Sequence, residues 1–526
     1  MKKRMKLLAG ILAAVLVMIG CGNAGTGSGG GAPATNDNQT NSEAVGGDVV
    51  DAVGGSTISD DWPTIRILTS INVDTEGTDV NDNFYINHIR ETLQLNIQLI
   101  NDATPYYDQT MNTIMASGDL PDAIMLMGAN QRMHLARWAN EGMLMPLNDL
   151  LPTYGYDLLD EIMDEAWRVA SHNDTIYAVP FQRFDPFPFM TFVRRDWMDN
   201  LGINPEDVRT IEDWHEMMYR FVHEDPNGDG LDNTHAIAST TSGTHFTNAT
   251  FLDAFGAARA QVVDGELRPN YMLDEYREWL KFMNQLYEEG ILDPEFIVNT
   301  RMWEQIADGT HGMFHWFWGL QEFLGMGLDR DDWVAMQPPL RADGSQSNYM
   351  FSSPNRHMMA ITADTEMADE VLRFFNWAVS EEGAIFMFAG LEDFDWDMEN
   401  GEITMREERR GRNLGWRQLT LGVQFPNATR QPIRGILEQS FGELGMDHLA
   451  LSNQFGAYDD LDLFRPVFDE LAQFDLPSIV AEFTDQAIIG QVDIHDDAVW
   501  QAYIDRLLRA GADVKIELST DWYNNQ

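Results

Sequence analysis

Between residues 64 and 127 short apolar runs alternate with helix-like runs, and that alternation constrains the fold more than any other feature. Thr64-Ile65-Arg66-Ile67-Leu68 has the alternating pattern of a strand, Phe84 to Leu93 that of a helix, and Leu95 to Ile100 that of a second strand. Tyr107 to Ala116 predicts a helix, Ser117 to Asp122 a turn, and Ala123 to Met127 a third strand. Strands and helices taking turns in this way imply βαβ units and a mostly parallel sheet. In such sheets ligands lie at the carboxyl ends of the strands, so the loops after Leu68, Ile100 and Met127 are expected to border a site. The first of these loops carries Asp74, Glu76 and Asp82 as candidate polar contacts.

Further along, residues 134–167 are expected to be helical with breaks at Gly142 and Pro146, and residues 174–181 to form a strand. The proline-rich stretch Phe184-Asp185-Pro186-Phe187-Pro188-Phe189 denies helix and limits sheet pairing, which favours an extended crossover. Thr191 to Trp197 resumes a strand and enters a helix.

The amino terminus is of a different kind. Lys2, Lys3, Arg4 and Lys6 precede an apolar run of fourteen residues, Leu7 to Gly20, and the only cysteine of the chain, Cys21, follows. A membrane span needs roughly 20 apolar residues, so this run suits the core of a signal peptide. Gly20 directly before Cys21 resembles a bacterial lipoprotein signal, with Met18 where leucine is usual. That resemblance implies removal of residues 1–20 and diacylation of Cys21, and two acyl chains suffice for stable anchoring. Residues 21–60, rich in Gly, Ser, Thr, Asn and Ala, are expected to act as a flexible tether. The protein is therefore expected to be extracytoplasmic and held at the cell membrane by its lipidated cysteine.

A length of 526 residues favours more than one domain. With no second cysteine, internal disulfides and multi-thiolate metal sites are excluded. The formal charge of −50 repels phosphate backbones and argues against a nucleic-acid partner. No G-x-S-x-G, H-E-x-x-H or P-loop pattern is present, and the expectation is that the chain is not an enzyme.

Two local patterns carry chemistry. In Asp225-Pro226-Asn227-Gly228-Asp229-Gly230-Leu231 oxygen side chains stand at the first, third and fifth positions, a glycine at the sixth and a backbone carbonyl at the seventh. This is how a loop wraps a hard cation, and a structural Ca²⁺ on Asp225, Asn227, Asp229, Leu231 and Asn233 is the expectation. Ala236 stands where an EF-hand has its bidentate glutamate. The second pattern is Gly312 to Gly319, a predicted strand that puts Phe314, Trp316 and Trp318 on one face. Indole faces suit sugar rings, whose axial C–H groups pack on the π surface. Trp316 and Trp318 are thus candidate stacking residues, with Asp185, Phe187 and Trp416 as further contacts. His311 and His315, of opposite parity, are read as non-metal residues.

Several phrases, "ARWANEGMLMPLNDLL", "DTIYAVPF", "FVRRDWMDNLGI" and "SEEGAIFMFAGLEDFDW", together resemble the extracellular solute-binding proteins of bacterial carbohydrate ABC importers. The likeness is to family 1, in its long lipoprotein branch that includes alginate-oligosaccharide binders, and runs from about residue 64 to the end. It implies an α/β, two-lobed periplasmic-binding-protein-like fold of type II, with ligand between lobes joined by three crossings, here near 182–190, 350–357 and 395–430. One lobe would hold 64–181 plus 358–395, the other 191–349 plus 430–526. In the family the strand at 312–318 resembles one presenting a sugar-stacking tryptophan, and the cation loop is completed by acids at its ninth and tenth positions. Here those positions are Asn233 and Thr234.

The implied function is that of a monomeric substrate-binding lipoprotein that captures an oligosaccharide and delivers it to ABC permease subunits. Two other readings stay open, a binding protein for peptides or another polar solute, and a surface glycosidase, whose paired carboxylates would be spatial rather than sequential.

Overall fold

The computed structural model describes residues 59–525, except 71–78, 103–105, 128–129, 183–189, 239–249, 298–301, 317–327, 352 and 410–430. The signal, Cys21 and the tether up to residue 58 therefore lie outside the described residues. Two main sheets are built from β1 (Thr64–Thr69), β2 (Asn96–Asn101), β3 (Ala123–Met127), β4 (Ala178–Gln182), β5 (Met190–Arg194), β6 (His235–Ala238), β7 (His311–Trp316), β8 (Trp333–Met336) and β9 (Asn355–Ile361). The helices around them include α1 (Phe84–Leu93), α2 (Tyr107–Ser117), α3 (Gln131–Asn140), α4 (Asp164–Val169), α5 (Ile211–His223) and α6 (Asp274–Glu288). They continue with α7 (Ala368–Val379), α8 (Glu381–Ala389), α9 (Ile433–Phe455), α10 (Leu476–Ile488) and α11 (Asp497–Leu507).

Local chemistry explains the first units. The Asn83 side chain accepts hydrogen bonds from the Tyr85 and Ile86 amides and caps α1, which ends where Gln94 turns left-handed. Ile86, Ile89 and Leu93 line the buried face of that helix. In β1, Ile65, Ile67 and Leu68 are buried, and β2 and β3 flank it in parallel. The first sheet has the order β2-β1-β3-β9-β4, with β9 antiparallel to both of its neighbours. The chain therefore leaves this sheet after β4 and returns to its middle only at residue 355. The second sheet has the order β8-β5-β7-β6, in which β7 runs parallel to β6 and antiparallel to β5. This is an α/β fold of two lobes, one around each sheet.

Register sorts the second sheet into two faces. Val193, Ile237, Met313 and Met336 point to one side, into a core made with Trp214 and Phe221 of α5, Trp279 of α6, Phe483 of α10 and Trp500 of α11. Phe192, Phe314, Trp333 and Ala335 point to the other side and join a core that is continuous with the first sheet. Residues of α9 from Ile433 to Phe455 belong to that same continuous core, whereas residues from Leu476 to Ile516 pack with the second lobe's own helices.

Three expectations are refined. The stretch 134–167 divides into α3 and three shorter helices, Leu151–Tyr154, Tyr156–Glu161 and α4. The single strand expected over 174–181 is instead Thr175–Ile176, paired back on Ser171–His172, followed by β4, because the positive φ of Asn173 and Asp174 turns a hairpin there. The aromatic strand is described from His311 to Trp316.

Candidate functional site

Strand directions define the edge where a ligand would lie. β1, β2, β3 and β4 all run toward one edge of the first sheet, bringing Thr69 beside Asn101, His357 beside Met127 and Asn355 beside Gln182. β4 ends at that edge with Gln182, and β9 begins there with Asn355. The second sheet meets the crossing in the same sense. Trp316, at the end of β7, pairs with Met190, the first residue of β5, and Phe314 pairs with Ala238 at the end of β6. Both sheets thus present the carboxyl ends of their parallel strands to the segment that joins them, which is where α/β sheets bind ligands.

The outer strand of the first sheet, β2, is tightly wired along its free side. The Asn81 side chain pairs with β2 as a strand would, accepting from the Leu99 amide (2.7 Å) and donating to the Leu99 carbonyl (2.9 Å). The buried Arg90 guanidinium donates to the Asn81 carbonyl (2.8 Å) and to the Ile97 carbonyl (2.6 Å). Asp82 follows Asn81 directly and stays exposed, accepting from Asn87 Nδ2 at 3.3 Å. Two buried polar atoms at the edge have no hydrogen-bond partner among the described residues, Thr69 Oγ1 and Asn355 Oδ1, although Asn355 Nδ2 donates to the Ala166 carbonyl at 2.9 Å. A buried acceptor without a partner costs on the order of 1–3 kcal/mol, so these are the atoms a polar ligand or water gains most by meeting.

On the second sheet the edge contains a buried knot. The hydroxyls of Thr191 and Thr250 lie 2.6 Å apart, and each is within about 3 Å of His315 Nδ1 (3.0 and 3.1 Å). Burial alone pushes the His315 imidazole down to about 3, so it is neutral at ordinary pH. Tyr349, whose hydroxyl donates to the Met336 carbonyl at 2.6 Å, packs beside it with ring centroids 5.9 Å apart. Sequence reasoning placed His315 outside metal chemistry but could not foresee this knot, because its members come from four separate stretches with no shared periodicity.

The aromatic stripe divides along its length. Phe314 is fully buried, stacked on Phe192 (5.1 Å) and edge-on to Trp333 (5.2 Å) and Trp303 (5.5 Å), and is a core residue. Trp316 is two residues nearer the crossing edge, where its backbone pairs with Met190. Of the other expected ligand contacts, only Asp82 is described in full. Asp74, Glu76, Asp185, Phe187, Trp318 and Trp416 lie outside the described residues.

The loop 225–233 connects α5 to β6. Asp225 accepts from the Gly230 amide (3.1 Å), Asp229 from the Leu231 amide (2.8 Å), and Asn233 Nδ2 donates to Asp229 (2.9 Å). The bonds to Asp229, that from Asn233 first and then that from the Leu231 amide, hold its carboxyl below the ordinary range. Gly230 has φ +75° with open space where a Cβ would stand, so its backbone conformation rather than crowding calls for glycine. The donor set suits a hard cation, and Asn233 Oδ1 is a buried acceptor without a partner among the described residues. No group of three or more His, Cys, Asp or Glu side chains poised for a metal occurs among the described residues, so the Asp225 and Asp229 carboxylates would need amide and carbonyl oxygens beside them to hold a cation.

A cavity of about 740 Å³ lies elsewhere, between α3, α4 and residues 463–467, and none of the expected ligand residues lines it. Arg168 lies over the Phe464 ring there at 3.5 Å. No helix among the described residues is long and apolar enough to cross a membrane.

Comparison with known proteins bears on this geometry. Residues 95–385 match the family model described as bacterial extracellular solute-binding protein. The chain is 26% identical over 214 residues to Lipoprotein LipO of Bacillus subtilis strain 168, a match covering 39% of this chain and 41% of that one. It is 29% identical over 234 residues to the fructooligosaccharide ABC transporter substrate-binding protein FusA of Streptococcus pneumoniae serotype 4, covering 41% and 43%. The chain thus spans about two fifths of the length of these curated relatives. The solved structure of S. pneumoniae FusA in complex with kestose superposes with a TM-score of 0.66 at 19% identity, covering 88% of this chain and 99% of that one.

Proposed function

Because this chain belongs to the bacterial extracellular solute-binding proteins, we propose that it captures an oligosaccharide between its two lobes and hands it to the permease of an ABC importer. The observation that carries this reading is the shared edge, where the carboxyl ends of β1 to β4 and of β6 and β7 meet the crossing segment. The relative FusA, a fructooligosaccharide ABC transporter substrate-binding protein, supports the choice of ligand class. Capture is closure without bond cleavage. Ligand moves the balance between open and closed forms only by binding the closed form more tightly. Trp316, by its position on β7, would stack on a sugar ring, and Asp82 would accept from hydroxyls. The acidic body, at a formal −50, favours neutral over anionic sugars.

The mature protein would act as a monomer, moored through diacylated Cys21 and a flexible tether. Asp225, Asn227, Asp229, the Leu231 carbonyl and Asn233 would hold Ca²⁺, whose charge would brace the connection between α5 and β6.

Thermal-shift and calorimetric titration of calcium-depleted protein with fructooligosaccharides, other neutral oligosaccharides, uronate oligosaccharides and peptides tests both parts. Saturable stabilisation by a neutral oligosaccharide, without its turnover, is expected. A ligand at 100 times its Kd stabilises by about 2.7 kcal/mol. Stabilisation by peptides alone, or release of cleaved sugar, would replace this reading. Ca²⁺ should raise the melting temperature of the parent protein and leave Asp225→Ala unchanged; equal responses would remove the cation from the loop.

A further inference from the structure

Helix α9 is broken in its middle. Gly442 has φ +65° and ψ −163°, a backbone region essentially restricted to glycine. Space does not force the choice, since an added Cβ would meet only Arg330 Nη1, at 3.4 Å. What distinguishes this break is that the two halves of α9 are held by different partners.

The first half is tied to the hairpin formed by Trp396–Glu399 and Glu402–Met405. Gln439 Oε1 accepts from the Met405 amide (2.9 Å) and Gln439 Nε2 donates to the Ile403 carbonyl (2.8 Å), as a neighbouring strand would. The second half lies on the second sheet, where the His448 ring stands edge-on to Phe192 of β5 at 5.3 Å. It then runs directly into Gly456–Tyr458, which pairs in parallel with Tyr349–Phe351, the strand just before the chain returns to the first sheet.

Just before the break the first half is clasped. Arg330, which precedes β8 of the second sheet, donates Nη1–H to the carbonyl of the buried Ser440 at 3.1 Å. A continuous helix would transmit any movement of the second sheet rigidly into the hairpin. A helix broken at a glycine, with a guanidinium from the moving sheet on the carbonyl two residues before the break, can bend at that point. Arg330 is thereby placed to set the angle at which it rests.

We infer that the Gly442 break, clasped by Arg330, is a hinge through which the second sheet turns against the first lobe, and that it sets the resting separation of the lobes. The inference deepens the capture-by-closure reading and rests on it for its role in binding, but the hinge itself can be measured without ligand.

The test uses full-length protein with Cys21→Ser and spin labels at two exposed sites, Glu91→Cys in α1 and Glu216→Cys in α5. Interlabel distances are read by pulsed electron resonance, ligand-free. Arg330→Ala is expected to shift or broaden the distance distribution, and Arg330→Lys, which keeps a donor, to restore most of it. Gly442→Ala, which disfavours the break, is expected to shift it furthest. Circular dichroism of each variant should match the parent in helix content. Distributions identical to the parent in both Arg330→Ala and Gly442→Ala would overturn the hinge. A shift by Arg330→Ala that Arg330→Lys fails to reverse would overturn the role of the clasp. Titrating the parent with the sugar panel tests the capture reading separately: parent protein that binds no sugar while its variants shift would refute the ligand and leave the hinge standing.

Discussion

The two faces of the second sheet both bury large apolar side chains but are packed against different things. Val193, Ile237, Met313 and Met336 meet the lobe's own helices, while Phe192, Phe314, Trp333 and Ala335 meet α9 and the core that continues into the first lobe. Burying either set contributes comparable hydrophobic free energy, about 1.5–3 kcal/mol for each large side chain. The difference is in what else moves when the packing fails. Loss on the own-lobe face weakens one lobe, whereas loss on the shared face also loosens one lobe from the other.

Met313 and Phe314 are adjacent in β7 and point to opposite faces, so they make the sharpest comparison. Phe314→Ala is expected to cost about 3–5 kcal/mol and Met313→Ala about 2–5 kcal/mol in urea unfolding. Only Phe314→Ala should also change the radius of gyration of ligand-free protein by small-angle scattering. If both variants leave scattering unaltered, the shared face does not hold one lobe to the other.

A smaller effect is expected at Gly312, where an added Cβ would collide with Phe221 Cδ2 and lie 2.7 Å from Trp197 Cε3. Gly312→Ala should destabilise by about 1–3 kcal/mol through overpacking, read as a lower urea midpoint with an unchanged slope. A neutral outcome would mean that the Trp197 and Phe221 rings yield more readily than their close packing implies.

A dependence on pH also belongs to the own-lobe face. His315 binds a proton near 6.5 when unfolded but only at about 3 when buried. Its contribution is therefore complete above pH 6.5 and is lost as pH falls toward 3, with a slope of up to about 1.4 kcal/mol per pH unit. Burial also lowers His88, His134 and His235, which adds a common background. The informative quantity is the difference between parent and His315→Gln in urea stability at pH 7 and pH 5. The variant should lose less on acidification, and equal losses would take the acid sensitivity away from this knot.

Much of the first lobe was legible because its elements are local. The helix expected over Phe84 to Leu93 and the strand over Ala123 to Met127 occur with those bounds, since caps, turns and period-two alternation act over a few residues. The hairpin before β4 was missed because its signal is backbone conformation at Asn173 and Asp174, which composition shows poorly. The candidate site was half legible. The edge follows from strand direction once the units are recognised, but which member of the aromatic stripe is core could not be read. Phe314 and Trp316 share one parity, and only the arrival of Phe192, Trp303 and Trp333 from other stretches assigns Phe314 to the interior.

Taken alone, the sequence determined that the chain would form parallel βαβ units, where their loops would gather, and that an acidic, single-cysteine body would have to be stabilised by packing. Those properties depend on neighbours along the chain and on totals. Tertiary structure alone decided which face of the second sheet would be shared between lobes, that Asn355 and Thr69 would be left as buried polar groups at the edge, and that α9 would break at Gly442 between two sets of partners. These depend on contacts between residues hundreds of positions apart, for which a linear pattern carries no signal.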